Sequence, residues 1–299
     1  MEKVSCDLCG SGASSPFFER EDRFTGKSFQ FVSCQDCGLI YLNPRPTQAE
    51  LPEFYPQDYE AYYLTGDASH SMEQWHKLRA LKMQLDFVQK LVSGRGRLLD
   101  VGCATGNFMR TARECGWEVT GVELIEPAAQ TARQQYGLDV HSGSVDTADL
   151  PEATFDAITL WDVLEHLPSP KVAMKRIHQL LKPGGIVVFS IPNLSSFDRF
   201  LFGERWIGWD APRHFNMFTE ATIRRLFEQT GFEFKQRSCF LGGKGTFLLS
   251  LDQVLGNGNP GISVKKLYPI LSAMLWPYRK ISYLLDRGPI ITFAGGKIG

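Results

Sequence analysis

The chain has 299 residues, with 32 Lys and Arg against 33 Asp and Glu, and its formal net charge is -1. Hydrophobic residues make up 43% and charged residues 22%, a composition that excludes a mostly disordered chain. The balanced charge argues against a nucleic-acid partner, because such proteins usually carry a basic surface. We see no secretory signal and no apolar run long enough to span a membrane, and seven cysteines favour a reducing compartment. The expected location is therefore the cytoplasm.

Two CxxC pairs lie in the first 47 residues, Cys6 with Cys9 and Cys34 with Cys37. Four thiolates presented from two tight turns satisfy tetrahedral Zn²⁺ and leave no open position, so the expected metal is structural. A redox CxxC is the alternative, although it would need only one pair. We predict a small zinc ribbon over residues 1–47. The other cysteines, Cys103, Cys115 and Cys239, are expected to be buried free thiols.

Residues 48–96 are predicted to link the ribbon to the main domain. Four tyrosines fall within nine positions, and a helix is expected from Met72 to Val92, where apolar residues recur at three- and four-residue steps. Ser93-Gly94 ends it. The four tyrosines are Tyr55, Tyr59, Tyr62 and Tyr63.

From residue 97 to the C-terminus, short apolar runs alternate with helical stretches, which predicts βαβ units and an α/β, doubly wound, mostly parallel sheet. The expected strands are Arg97–Val101, Glu118–Glu123, a weaker one around Val140, Phe155–Leu160, Ile186–Ile191, Phe232–Phe240 and Pro289–Ala294. The expected helices are 106–115, 127–136, 170–181 and Thr219–Thr230.

A basic and apolar insert is expected at about 241–288. Residues 241–299 hold seven basic and two acidic residues, a net of +5. A basic, aromatic-rich segment can lie on an anionic membrane surface as a peripheral contact. It can equally be a helical lid that packs on the domain or on a second subunit, and we leave both interpretations open.

The strongest motif follows the strand that ends at Asp100. Gly102-Cys-Ala-Thr-Gly106 turns into a helix, and glycines there allow a ligand to approach the backbone closely. Glu123 ends the next strand, where a carboxylate can accept hydrogen bonds from both ribose hydroxyls of an adenosine.

With these motifs the chain resembles a class I S-adenosylmethionine-dependent methyltransferase. LLDVGCATG, the acidic end of the second strand, FDAITLWDVLEHL and LLKPGGIVVFSIPN follow that family in order and spacing. The resemblance implies a Rossmann-like, seven-stranded sheet and S-adenosylmethionine as cofactor, with Asp100 and Gly102 at its methionine end and Glu123 at its ribose. The turn with Ser144 and Val145 would hold the adenine, although Ser144 stands where the family often has an acidic residue. The other residues expected at the cofactor are Cys103, Gly106, Trp161 and Asp162.

The N-terminal sequence CxxC…CxxCGLIYLNPRP, followed by tyrosines, is similar to the front of bacterial methyltransferases from sugar and polysaccharide pathways. That resemblance implies a small polar acceptor, such as a sugar nucleotide or a glycan- or lipid-linked intermediate. An RNA methyltransferase and a non-catalytic zinc-ribbon scaffold are the alternatives. The acceptor atom and the oligomeric state do not follow from the sequence.

Two histidines are candidates for a general base, since imidazole has a suitable intrinsic pKa. His166 follows a strand at its carboxyl end, where ligands of open α/β sheets bind. His214 lies in a polar and aromatic loop, where we expect Trp206 and Trp209 to stack on the acceptor and Arg213 to pair with a phosphate.

Overall fold

The computed structural model describes residues 1–55, 72–242, 244–255 and 275–298. Three of the four clustered tyrosines, Tyr59, Tyr62 and Tyr63, lie outside the described residues, as does the middle of the predicted insert, 256–274.

The N-terminal module is a four-stranded antiparallel sheet rather than an isolated ribbon. It contains β1 (Ser14–Glu21), β2 (Ser28–Cys34) and β3 (Ile40–Leu42), and its strand order is β1-β2-β3-β9. The last strand, β9 (Asn216–Met217), comes from the main domain and pairs with β3 through Ile40 and Met217. The module and the main domain therefore share a sheet and fold against each other.

The main domain is built on a seven-stranded sheet in the order β10-β11-β8-β7-β4-β5-β6. The strands β6, β5, β4, β7 and β8 are parallel, while β11 is antiparallel to both β8 and β10. This confirms the doubly wound, mostly parallel fold. Its strands are β4 (Arg97–Val101), β5 (Glu118–Glu123), β6 (Asp139–Ser142), β7 (Phe155–Trp161), β8 (Leu181–Pro192), β10 (Phe232–Ser238) and β11 (Ile290–Lys297).

Helices flank the sheet as the alternating pattern predicts. They are α1 (Met72–Gln89), α2 (Asn107–Glu114), α3 (Glu126–Tyr136), α4 (Pro170–Leu180), α5 (Phe197–Phe202), α6 (Glu220–Thr230), α7 (Lys244–Leu255) and α8 (Trp276–Leu284). The central strands are buried on both faces, which explains why β7 and β8 read as continuous apolar runs. None of the helices in the described ranges is long and apolar enough to cross a membrane.

The described parts of the insert, α7 and α8, pack on their own domain. Phe247 of α7 contacts Phe202 of α5 at a ring-centroid distance of 5.0 Å and Tyr278 of α8 at 5.5 Å. The Tyr278 hydroxyl donates a hydrogen bond to Asp198 of α5. One side of α8 is thus fixed to the domain.

Candidate active site

The loop between β4 and α2 can be formed only with glycine at two positions. Gly102 and Gly106 have φ values of +71° and +81°, a region that residues with a side chain rarely adopt. A Cβ at Gly102 would lie 2.5 Å from Val163 Cγ2, and one at Gly106 would lie 2.4 Å from Leu138 Cδ1. The loop therefore presents bare backbone at the carboxyl edge of the sheet, beside the N-terminus of α2.

Two buried carboxyl groups lie at this edge, on the neighbouring strands β4 and β5. Asp100 accepts a hydrogen bond from Thr159 Oγ1 at 2.7 Å, and burial raises the pKa of Asp100 to about 7. Glu123 accepts the backbone N–H groups of Ala104 and Ile125, each at 2.8 Å. Because each carboxylate oxygen has two acceptor sites, Glu123 keeps one on each oxygen for a ligand hydroxyl.

The remaining residues predicted at the cofactor divide into two groups. The side chains of Cys103 and Val145 are buried in the hydrophobic core, so these residues can offer a ligand only backbone atoms. Ser144, Trp161 and Asp162 are half-buried or exposed at the edge of the sheet. The Trp161 ring contacts Phe108 edge-on at 5.3 Å, and Asp162 accepts a hydrogen bond from Ser190 Oγ.

The structure brings the two predicted histidines together. The rings of His166 and His214 meet edge to face, with their centroids 4.6 Å apart. His166 Nδ1 lies 3.0 Å from the carbonyl oxygen of Arg213, and His214 Nδ1 lies 2.8 Å from that of Gly208. A carbonyl oxygen can only accept, so Nδ1 carries the hydrogen in both neutral rings and both Nε2 atoms keep a lone pair.

The surroundings keep this pair uncharged. Desolvation, assisted by the neighbouring His214, lowers the pKa of His166 to about 3, and burial lowers the pKa of His214 as well. Burial also raises the pKa of Glu165 well above its ordinary value. Glu165, His166 and His214 place their polar atoms within 4.8 Å of one another, close enough to share one ligand. The Tyr55 hydroxyl lies 3.5 Å from His166 Nδ1.

The predicted acceptor contacts of the loop around His214 are wrong. Arg213 is completely buried and donates hydrogen bonds to Asp22 and Asp210, so its guanidinium is not available for a phosphate. Trp206 and Trp209 are buried in a hydrophobic cluster with residues of the N-terminal module and present no face to an acceptor. The sequence does not indicate Asp22, because its partner Arg213 is 191 positions away, or Gly208, because it binds His214 through a backbone carbonyl that no side-chain pattern signals.

The four cysteines of the CxxC pairs lie together in the N-terminal module. Cys6 Sγ is 3.4 Å from Cys37 Sγ, and Cys9 Sγ is 3.5 Å from Cys34 Sγ. All four sulfur atoms lie within 4.8 Å of one another. Among the other cysteines, Cys103 and Cys239 are buried as expected, but Cys115 is exposed, contrary to the prediction.

A glycine loop after β4, an acidic residue that ends β5 and this strand order define a Rossmann-like domain of the methyltransferase type. A protein-family model described as "Methyltransferase domain" matches residues 74–236. The chain belongs to this family and is a class I S-adenosylmethionine-dependent methyltransferase.

Its curated relatives include ubiquinone biosynthesis O-methyltransferases. That of Idiomarina loihiensis is 32% identical over 155 residues, which cover 48% of this chain and 63% of the relative. That of Alkalilimnicola ehrlichii is 36% identical over 119 residues, which cover 37% of this chain and 48% of the relative. The match thus spans about half to two-thirds of these two relatives. That of Aromatoleum aromaticum is 30% identical over 206 residues, covering 64% of this chain and 85% of the relative.

These names overturn the expectation of a sugar nucleotide or glycan acceptor, which rested on the likeness of the N-terminal motif to sugar-pathway enzymes. They give no support to an RNA methyltransferase or to a non-catalytic scaffold.

Solved structures share the fold at low sequence identity. The geranyl diphosphate C-methyltransferase from Streptomyces coelicolor has a TM-score of 0.50 at 15% identity, covering 78% of this chain and 88% of that one. The [4+2]-cyclase SpnF has a TM-score of 0.50 at 22% identity, and the match covers 78% of this chain and 86% of SpnF. Because one of these proteins is named a cyclase, the fold alone does not define the reaction.

Proposed function

We propose that this methyltransferase transfers a methyl group to a hydroxyl oxygen of a quinone-type, phenolic acceptor. The observation that carries the proposal is the neutral pair His166 and His214, in which each Nδ1 binds a backbone carbonyl and each Nε2 keeps its lone pair. A phenol must lose its proton as its oxygen becomes the nucleophile, and each free Nε2 is an acceptor for that hydroxyl hydrogen. The names of the curated relatives support an oxygen acceptor on a ubiquinone precursor.

S-adenosylmethionine supplies an electrophilic methyl carbon when it is bound. Backbone atoms of Gly102 and Gly106 would face it, Asp100 would hold its methionine end, and Glu123 would accept hydrogen bonds from its ribose. Ser144, Val145, Trp161 and Asp162 would line its adenine side and the adjoining edge of the sheet. These assignments agree with the positions of the residues along one edge of the sheet.

The reaction needs positioning and one proton transfer. The bound methyl donor would supply the carbon, and a histidine Nε2 would accept the hydroxyl hydrogen of the acceptor as its oxygen is methylated. We assign that role to His166, because it ends the short turn Leu164–His166 and the residue before this turn, Val163, lies against Gly102 of the loop. His214 packs on the ring of His166 and would hold it in place or relay the proton.

The test is methylation of a phenolic ubiquinone precursor with labelled S-adenosylmethionine, followed by mass spectrometry. The same ring with an amino group or a carboxyl group in place of the hydroxyl serves as the matched control acceptor. We expect a product methylated on the ring oxygen. Transfer to the amine or the carboxylate but not to the phenol would refute the proposed acceptor.

We also propose that Cys6, Cys9, Cys34 and Cys37 hold a structural zinc ion. Four thiolates at the usual Zn–S distance of about 2.3 Å are separated by about 3.8 Å, close to the observed separations of 3.4 and 3.5 Å. Each pair is followed by a glycine whose N–H donates to the carbonyl of the first cysteine, Gly10 to Cys6 and Gly38 to Cys34. These two matching turns point all four sulfur atoms at one centre.

A further inference from the structure

We propose that the outer face of α8, together with the neighbouring α5, binds the surface of an anionic lipid membrane. This inference is independent of which acceptor is methylated. It rests on the way the two helices distribute their polar and apolar residues, and on the charge around them.

The helix α8 buries a polar side and exposes an apolar one, the reverse of an ordinary surface helix. Ser282 is buried and Tyr278 contacts Asp198, both on the side that faces the domain. Trp276 and Leu284, eight positions apart on the opposite side, are 56% and 83% exposed, and Ile281 beside them is 53% exposed. Since positions three or four residues apart share a helix face, Leu284 lies beside Ile281 and is aligned with Trp276 through Lys280.

The adjacent helix α5 shows the same inversion. Asp198 is buried and accepts hydrogen bonds from Tyr278 of α8 and Thr246 of α7. Phe200 and Leu201 of the same helix are 86% and 61% exposed. Five large apolar side chains on two joined helices are therefore turned outward, and an exposed apolar patch of this kind marks an interaction site.

The basic side chains around this face favour an anionic partner. Lys280 is exposed in the middle of the stripe, with its ammonium 4.3 Å from the centre of the Trp276 ring. Residues 275–288 contain three basic residues and one acidic residue, Asp286, which accepts the Cys239 N–H and lies 3.8 Å from Arg237. Pairing two copies through this face would bring two basic stripes together, which disfavours a homodimer.

The dimensions fit a helix that lies in the plane of the membrane. Nine residues of α helix extend about 14 Å, half of the roughly 30 Å of a hydrocarbon core. An apolar stripe with tryptophan at one end and lysine in the middle suits the boundary between headgroups and acyl chains.

The experiment is flotation of the purified full chain with phosphatidylcholine vesicles, with and without phosphatidylglycerol. We expect binding to the anionic vesicles that weakens as salt is added. The double substitution Ile281→Glu with Leu284→Glu should lower the vesicle-bound fraction about tenfold or more, and Lys280→Glu about fivefold. Matched controls on α4, Val172→Glu and Lys175→Glu, change exposed residues on another surface and should bind as the parent does.

Tryptophan fluorescence gives an independent readout. Trp276 is more exposed than Trp117, Trp161, Trp206 and Trp209, so a blue shift on adding anionic vesicles should disappear in Trp276→Phe. A parent chain that stays with the aqueous fraction, or a double variant that floats as the parent does, overturns the proposal. Equal binding to neutral and to anionic vesicles also overturns the proposal. If the parent is dimeric without vesicles and the double variant is monomeric, this face joins two copies of the chain instead.

Discussion

The guanidinium of Arg213 donates a hydrogen bond of 2.9 Å to the carboxylate of Asp22, 191 positions away in the chain. Both side chains are fully buried, and Asp210 binds the other side of the same guanidinium. This ion cluster joins the turn after β1 to the loop before β9. The carbonyl oxygen of Arg213 also fixes Nδ1 of His166, so the contact with the N-terminal module helps to place the proposed base.

Asp22→Ala should destabilise the fold by about 3–5 kcal/mol, because it removes one partner of a buried ion cluster. Urea unfolding monitored by tryptophan fluorescence measures the change. Glu233→Ala, which breaks the exposed pair with Lys235, is the matched control and should cost less than about 1 kcal/mol. Equal effects of the two substitutions would contradict the role assigned to Asp22.

Glu123→Ala should weaken binding of S-adenosylhomocysteine by about 1.5–3 kcal/mol, because a charged acceptor is lost from the ribose hydroxyls. Isothermal titration calorimetry measures the affinity. Glu118→Ala, at the opposite end of the same strand, is the control and should leave the affinity unchanged. Full affinity in Glu123→Ala would remove this residue from the cofactor site.

His166→Gln should lower turnover by about 10²–10⁴-fold while the affinity for S-adenosylhomocysteine stays close to that of the parent, since only the proton acceptor is lost. His214→Gln should have a smaller effect on turnover. Steady-state kinetics and calorimetry on the same preparations give both quantities. A larger loss in His214→Gln would assign the base to that residue instead.

The contribution of His166 to the unfolding free energy should fall as the pH drops below about 6.5, where unfolded histidine begins to bind a proton. Folded His166, with its pKa lowered to about 3, does not bind one there, so protons favour the unfolded state. Each such histidine contributes a slope of up to about 1.4 kcal/mol per pH unit. In urea unfolding at several pH values, the unfolding free energy of the parent minus that of His166→Gln should therefore decrease as the pH drops below about 6.5. His141→Gln on β6 removes a histidine outside the pair and serves as the control substitution.

Purified protein should contain about one zinc ion per chain, and Cys34→Ser should lower both the zinc content and the melting temperature. Elemental analysis and thermal unfolding provide the two measurements. Cys115→Ser changes an exposed cysteine away from the cluster and should retain the metal. A folded, metal-free parent with four reactive thiols in the N-terminal module would exclude the zinc site.

The sequence by itself determined the sheet, the glycine loop and the cysteine cluster, because each depends on residues that are close together in the chain. Alternating apolar runs define buried parallel strands, and Gly102 and Gly106 are required by local backbone geometry. The positions of Asp100 and Glu123 follow, since parallel strands place their carboxyl ends at one edge.

Only the tertiary structure decided what surrounds the histidines. In sequence, Trp206, Trp209 and Arg213 look like an exposed loop able to bind an acceptor. They are buried because the N-terminal module covers them, and β9 pairs with β3 across more than half of the chain. The orientation of α8 also depends on a tertiary contact. Tyr278 donates a hydrogen bond to Asp198 of α5, so that side of α8 faces the domain and Trp276 and Leu284 are exposed. Such burial depends on long-range contacts, which a local pattern of polar and apolar residues does not specify.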